Sequence, residues 1–502
     1  METSVHIAVD LGAESGRVIV GVLSDGKLSL EEVHRFRHLP VPTPAGLCWD
    51  FTGLWRSILD GLRAACDYAA EAGLRPESVG VDTWGVDWAL VSESGVMLGL
   101  PRCYRDPVFA DAFERVQGRI GARAIYEATG IQHMPLNSLY QYVSRVEQDD
   151  AVFEESCRLM FMPDLFHWLL TGVMTTERTN ASTSQMVDVR TGDWSHALLE
   201  RLGLPTGPLG SMIDAGDTVG TLTASVAQAT GLDPSVRVVA PPTHDTASAV
   251  AAVPADPGTN WCYLSSGTWS LLGAELDSPC ITDASAAAPF TNELGVCGTV
   301  RFLKNIGGLW LVQEVRRQLE REGQTFNYIE LEDLAAAADP LPTLMPVNDP
   351  VFAEPGGMID KIRAYAAQTS QPVPESIGAV VRCTFESLAL EYKATLERLG
   401  DVLGRSFDVL HIVGGGGRNI LLNEMTTAAT GCVMVAGPDE ATAMGNLLTQ
   451  AMGTGHLEDL AAMRRVVNAT VSPRRYEPEA GIRGDWSAAA ERYASLPACV
   501  RN

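Results

Sequence analysis

A carboxylate, Asp10, closes an apolar, β-branched run, and a turn of small residues (Gly12, Ala13, Ser15, Gly16) follows before Arg17 opens a second run. Small side chains let a backbone come close to a ligand, and the N–H groups exposed at such a turn suit phosphate oxygens. A carboxylate beside them suits a magnesium ion, which prefers oxygen ligands and keeps several waters. The device recurs near mid-chain, where Ser265-Ser266-Gly267-Thr268 interrupts an apolar stretch that begins at Trp261 and ends at Gly273. Two phosphate-type hairpins about half a chain apart imply a duplicated nucleotide-binding core and phosphoryl transfer from ATP.

Asp245 stands in His244-Asp245-Thr246, just after the apolar run 236–240. Phosphoryl transfer to an alcohol needs a carboxylate to receive the hydroxyl proton, and this is a place for that general base. An aspartate there would equally cap the helix that follows; the surrounding constellation favours the base. Arg17 suits either the phosphates or a neighbouring acid. Glu14 sits awkwardly in a phosphate loop, because like charges repel unless its side chain faces metal or solvent. The glycines 414–417 fall between a strand and a helix, where the backbone can approach a flat ligand such as adenosine. They form neither the dinucleotide fingerprint nor a G-x-x-x-x-G-K-[ST] loop. Trp84, Gly85 and Asp87 combine an indole face with a carboxylate, as sugar binding requires, in what reads as a hairpin; core packing is the other fate of Trp84. Asn137, Tyr140, Gln141 and Asp164 are weaker polar candidates, each with a structural role as its alternative.

The elements that must position these residues follow from hydrophobic period. Strands are expected over 7–11, 17–23, 29–36 and 79–91, and a helix over 54–72 carries Leu54, Ile58, Leu62 and Ala65 on one face. After the strand 236–240 comes a proline- and glycine-marked hinge at 254–258. The second half repeats the plan: a strand–turn–strand at 261–275, helices over 307–321 and 375–399 with Gly400 as the stop of the latter, a strand at 410–413, and a helix over 439–452. Trp486, Ala489 and Tyr493 mark a terminal amphipathic helix that packs back onto the body.

A chain of 502 residues exceeds one ordinary core. Two domains are therefore expected, 1–250 and 251–502. The formal net charge of −25 excludes nucleic acid and anionic membrane surfaces as partners, since both need a basic face. No apolar run approaches the roughly 18 residues of a membrane span. The first apolar run has only a strand's length and carries Asp10, so it does not read as a signal segment. The ten cysteines include no C-x-x-C pair and read as reduced thiols of a cytoplasmic enzyme.

In chain order, residues 8–13 with 15–17, 82–87, 104–106, 162–164, 244–250, 263–271, 303–306 with 308–311, and 410–416 resemble the FGGY carbohydrate kinases of the actin/hexokinase/Hsp70-like superfamily. The resemblance implies an α/β fold of two ribonuclease-H-like (actin-like ATPase) domains flanking an interdomain cleft. The first would carry the sugar site, first phosphate loop and base, and the second the ATP site. It implies ATP with Mg2+ as cofactors, and a small-molecule sugar as substrate, for a monomer or homodimer. The Thr83–Asp87, Leu264–Leu271 and Leu303–Ile306 elements are similar to those of family members that phosphorylate L-rhamnulose at its 1-hydroxyl. Other members take L-fuculose, xylulose or glycerol, and a non-catalytic ATP-binding sugar sensor is the reading of another class. Residue by residue, Asp245 matches the base, and Gly85, His244, Asp245 and Thr246 match sugar positions, which Trp84 and Asp87 would join. Ala13, Glu14, Ser15, Gly16 and Arg17 match the first ATP loop, and Thr268, Asn305, Gln313 and Gly415 match further ATP contacts. Asp10 would hold the metal. Glu14 departs from the small residue of the family pattern.

Overall fold

The run Ser4–Leu11 forms a strand, β1, in which every residue is buried. A strand apolar on both faces needs a neighbour on each edge and cover on both sides. On one edge β2 (Ser15–Ser24) pairs antiparallel with it, and β3 (Lys27–Arg37) continues the hairpin ladder. On the other edge β4 (Ser78–Thr83) pairs parallel, with Asp82 beside Asp10 in register. With β5 (Thr218–Thr221) and β6 (Arg237–Val239) the sheet order is β5-β6-β4-β1-β2-β3. The structure is a computed structural model and describes residues 3–148, 150–153, 156–256, 258–478 and 484–499. Pro257, within the expected hinge, lies outside the described residues.

The chain divides into two compact units. The first comprises Met1–Pro254, Glu275–Phe302 and Ala441–Val471. Its helix Phe51–Glu71 buries the expected stripe of Leu54, Ile58, Leu62 and Ala65, and starts three residues early because Asp50 accepts a hydrogen bond from the Gly53 N–H. The helix Ala441–Gly453 packs on β1 and on the helix Asp245–Ala251. Residues 79–91 are not one strand or hairpin as expected. The chain leaves the main sheet after Thr83, turns through Gly85 and Val86, and Trp88–Ser92 pairs with Cys157–Phe161 instead.

The second unit comprises Ala255–Ala274, Leu303–Glu440 and Ser472–Asn502. Here β7 (Trp261–Ser266) pairs antiparallel with β8 (Trp269–Leu276), while β9 (Val300–Gly307) enters the unit at Leu303. β10 (Val409–Val413) pairs parallel with β7, β11 (Val433–Ala436) parallel with β10, and β12 (Arg474–Tyr476) antiparallel with β11. The sheet has seven strands, the strand Thr291–Leu294 standing at its edge beside β9, and the remaining order β9-β8-β7-β10-β11-β12 repeats that of the six-stranded sheet. Both contain one antiparallel hairpin whose turn ends a buried strand, followed by parallel neighbours on the other edge. Each hairpin turn is closed by its own backbone, Gly12 N–H to Ser15 O at 3.0 Å and Gly267 N–H to Trp269 O at 2.8 Å.

Two boundaries differ from the sequence expectation. Residues 300–307 are strand, so the helix begins at Trp310. The long helix runs Ile377–Leu403, through Gly400, and ends at Gly404, whose left-handed backbone returns its N–H to Gly400 O. A glycine inside a helix costs about 1 kcal/mol, which the packing of a long buried helix overrides. The terminal helix Trp486–Ala494 packs on this one, with Tyr493 Oη donating to Glu391 at 3.0 Å. Among the described residues no helix is long and apolar enough to cross a membrane, and all ten cysteines are free.

Gly445 lets its helix approach the one that carries Asp245, since a Cβ there would collide with the Ser248 carbonyl oxygen. Overpacking of this kind costs about 1–3 kcal/mol. Gly445→Ala is therefore expected to lower the thermal midpoint measured by calorimetry; an unchanged midpoint would contradict the close approach.

Candidate active site

Three carboxylates of the first unit gather at the carboxyl ends of adjacent parallel strands: Asp10 on β1, Asp82 on β4, and Asp245 six residues after β6. Open α/β sheets bind ligands at this edge. The backbone extends the sheet there, Thr83 N–H donating to Thr243 O at 2.9 Å. Asp245 opens the helix Asp245–Ala251 rather than capping it, since His244 holds the cap position. Its Oδ1 accepts from Thr246 N at 2.6 Å and Thr246 Oγ1 at 3.1 Å, and faces His244 Nε2 at 3.4 Å. Its Oδ2 takes no hydrogen bond among the described residues, and the side chain keeps 30% of its accessible surface. Burial raises the Asp245 pKa above the ordinary carboxylate value, the His244 ring opposes that rise, and the Asp10 charge adds to it.

Asp10 is not a turn aspartate bonding its own backbone. Arg17 returns from β2 and donates to Asp10 Oδ2 through Nε at 3.1 Å and Nη2 at 2.7 Å, so the arginine pairs with the acid. Beside them Asp82 is fully buried. Asn446 donates to its Oδ2 at 2.5 Å, and its Oδ1 has no partner. Desolvation first, then the Asp10 and Asp245 charges, hold Asp82 well above the usual carboxylate range. Such an orphaned oxygen amid repelling carboxylates fits a hard cation. Among the described residues no three His, Cys, Asp or Glu side chains are arranged to ligate a metal together. Glu14 does not face its loop unopposed, because Arg105 Nη1 lies 3.8 Å from Glu14 Oε1.

The segment around Trp84 is built on Asp87. This carboxylate is buried, and Oδ2 accepts from Trp49 Nε1 (2.7 Å), Trp84 Nε1 (3.0 Å) and Tyr104 N (3.2 Å), while Oδ1 accepts from Gln141 (3.0 Å). With its oxygens so engaged, Asp87 holds the two indoles in place. Trp84 itself is only 5% exposed. Gly85 is the one residue in 78–92 that is not buried, so its backbone is the part of this segment open to a ligand. The next residue, Val86, adopts φ 69°, a conformation that costs a β-branched residue about 1–3 kcal/mol and that clusters at functional sites. Thr183 Oγ1 accepts from the Val86 N–H, and Ser138 Oγ donates to its carbonyl, holding the strain. Asn137, Tyr140, Gln141 and Asp164 are all buried and bonded to protein partners. Asp164 accepts from the Phe161 and Glu177 backbone N–H groups, a structural role.

Several organising residues escaped the sequence reading. His38 donates from Nε2 to Gly12 O at 2.8 Å and stacks on Trp84 with ring centroids 5.5 Å apart, tying the phosphate-type turn to the indoles. Burial lowers its pKa, and the Gly12 carbonyl partly offsets this. Buried Glu177 accepts from Thr179, Asn180 and Thr243, including both donors of Thr243, and so fixes the approach to His244. Glu293 and Arg301 reach His244 from a later segment. Apart from the bonds of Glu177 to Thr179 and Asn180, these contacts join residues distant in sequence, and no spacing announces them.

In the second unit the second turn meets the helix Trp310–Arg321. Gln313 Nε2 lies 3.4 Å from Thr268 Oγ1, and Trp310 N–H donates to Thr268 O at 3.0 Å. Gln313 Oε1 is buried without a partner, an acceptor that suits a ligand donor. Gly415 is exposed, with nothing within 4 Å of where a Cβ would stand. It begins the short Gly415–Arg418 turn between β10 and the helix Ile420–Thr430, as the glycine cluster implied. Asn305, half-buried on β9, completes the expected set.

The family model described as the N-terminal domain of the FGGY family of carbohydrate kinases matches residues 5–252, and that of the C-terminal domain matches residues 262–454. A protein of Bacteroides thetaiotaomicron named rhamnulokinase is 44% identical over 494 residues, 98% of this chain and 99% of its own. One of Ligilactobacillus salivarius with the same name is 38% identical, covering 95% and 96%. Among solved structures, xylulose kinase from Lactobacillus acidophilus superposes with a TM-score of 0.76 at 14% identity, covering 98% and 96%. Plasmodium falciparum glycerol kinase with ADP gives 0.76 at 12%, again covering 98% and 96%. These two likenesses speak for the fold: two α/β units of the actin-like ATPase type.

Burial raises the Asp87 pKa to about 7 against the pull of four hydrogen bonds. Between about pH 4 and pH 7 the folded state then holds a proton that the unfolded chain has lost, so this group's contribution to stability falls as pH rises. Asn cannot titrate there. Urea melts at several pH values should show wild type losing ground relative to Asp87→Asn as pH climbs through that window. A constant difference would show that Asp87 titrates alike in both states.

Proposed function

The chain belongs to the FGGY family of carbohydrate kinases, and we propose that it transfers the γ-phosphate of ATP to the 1-hydroxyl of L-rhamnulose, giving L-rhamnulose 1-phosphate and ADP. Near full-length identity to proteins named rhamnulokinase supports this choice of sugar. One observation carries the mechanism: Asp245 has Oδ1 occupied by neighbouring donors and Oδ2 free.

In this reading the sugar hydroxyl gives its proton to Asp245 Oδ2. The O–H electron pair forms the new bond to the γ-phosphorus, and the bond to the β-phosphate oxygen breaks to release ADP. Asp245 must be ionised to act. The Thr246 hydrogen bonds and the electrostatic effect of the nearby His244 ring favour that form and oppose the effect of burial. Gly85, with its exposed backbone, and His244 and Thr246 beside the base orient the ketose, while Asp87 fixes Trp84 behind them. In the first unit the turn at Ala13, Glu14, Ser15 and Gly16 takes phosphate oxygens, and in the second unit Thr268, Asn305, Gln313 and Gly415 take nucleotide groups. Arg17 holds Asp10, and Arg105 offsets the Glu14 charge near the phosphates. Asp10, beside Asp82, would hold a magnesium ion, which would offset phosphate charge.

The test is magnesium-dependent ADP release on adding L-rhamnulose, L-fuculose, D-xylulose or glycerol. A strong preference for L-rhamnulose is expected. Preference for another sugar would overturn the substrate, and no sugar-stimulated release would overturn the reaction.

A further inference from the structure

His244 is usually counted with the sugar contacts of such a site, but its ring is mostly spoken for. Only 11% of the side chain is exposed, with Nε2 toward Asp245 Oδ1 at 3.4 Å. The other nitrogen, Nδ1, meets two groups of opposite character, Arg301 Nη2 at 3.2 Å and Glu293 Oε2 at 3.4 Å. Those two are themselves an ion pair, Arg301 Nη1 to Glu293 Oε2 at 2.9 Å, with side chains 1% and 6% exposed. Arg301 is further fixed by donation from Nε to Leu294 O at 3.2 Å. Burial opposes the Glu293 charge, yet Arg301 and His244 hold its carboxyl below the ordinary value. A buried arginine–glutamate pair is costly unless its groups are used; Arg301 Nη1 and Glu293 Oε2 are close but make no hydrogen bond of good geometry, and both side chains border one imidazole.

The chemistry of the ring explains the arrangement. An ionised Asp245 Oδ1 accepts only, so Nε2 must carry a hydrogen. When the ring is neutral, Nδ1 is an acceptor and Arg301 supplies its donor. When the ring is cationic, Nδ1 carries a hydrogen and Glu293 supplies its acceptor. The pair therefore satisfies His244 in both charge states without turning the ring. Asp245 changes charge during each turnover, with Asp10 and Asp82 as the other carboxylates that bear on it.

We propose that Glu293 and Arg301 are positioning residues that keep His244 Nε2–H on Asp245 Oδ1 throughout the reaction, so that Oδ2 alone receives the hydroxyl proton. The inference rests on Asp245 being the base. It adds two residues that touch neither sugar nor nucleotide and that enter the first unit from the returning segment Glu275–Phe302.

The test uses the full chain, with kcat per titrated active site and KM for ATP measured for Glu293→Gln, Arg301→Lys, His244→Asn and the doubles with His244→Asn. Loss of an outer-shell positioning contact should lower kcat by about 10- to 100-fold with KM for ATP near wild type. Each double should be no worse than His244→Asn alone, because the pair acts through that ring. Losses that multiply in the doubles, or wild-type kcat in both singles, would overturn the proposal. Merely structural roles would lower the melting temperature and the active fraction but leave kcat per site. Should Glu293→Gln fail to fold, Arg301→Lys, which keeps the buried cation, carries the same cycle. Asp245→Asn measured alongside separates the two levels. If it is inactive while both pair variants match wild type, only the positioning fails; if it is active, the base and the positioning both fall.

Discussion

The first unit is organised around the cost of withdrawing carboxylates from water. Asp10, Asp82 and Asp245 converge at the ends of parallel strands, and Asp87 and Glu293 are buried nearby in sequence or space. An ionised carboxylate in such surroundings is tolerated only with charge or hydrogen bonds to compensate it. Each has its own solution. Asp10 takes an arginine, Asp87 takes indole and amide N–H groups, and Glu293 takes an arginine and a histidine. Asp82 keeps one oxygen without a hydrogen-bond partner among the described residues.

The compensation also divides labour between groups that look alike in sequence. Asp87 and Asp245 are both aspartates close to aromatic or histidine neighbours, yet one has its oxygens filled by protein donors and the other keeps one oxygen open. The donors around Asp87 hold two indoles in place, while Asp245 leaves Oδ2 without a hydrogen bond among the described residues. The same distinction separates His38, which bridges a turn to an indole, from His244, whose Nε2 is aimed at the base.

Local chemistry made much of this legible in the sequence. The two turns required small residues at fixed spacing, and both are hairpin turns ending buried strands. Asp245 after an apolar strand suits a helix cap as well as a base, and the surrounding constellation favoured the base. The resemblance added Gly85, Thr268 and Gly415, of which the last is exposed and the other two half-buried. What stayed hidden depends on tertiary return. Segments 275–302 and 441–471 leave the first unit and come back, so Glu293, Arg301 and Asn446 meet the site from positions that no local pattern connects to it. The 79–91 run misled for a related reason: two strand-like stretches in succession read as a hairpin, but the second pairs with Cys157–Phe161. Gly400 read as a helix stop because a glycine after a periodic stripe usually is one, whereas buried packing carried the helix on to Gly404.

The central claim is that Asp245 Oδ2 receives the proton of the sugar hydroxyl. Its most direct test is the single-turnover rate of phosphoryl transfer in Asp245→Asn, with L-rhamnulose and ATP bound beforehand to saturation. Removing a general base should slow this step by about 100- to 10,000-fold while both ligands still bind as in wild type. A rate within a few-fold of wild type would contradict the account.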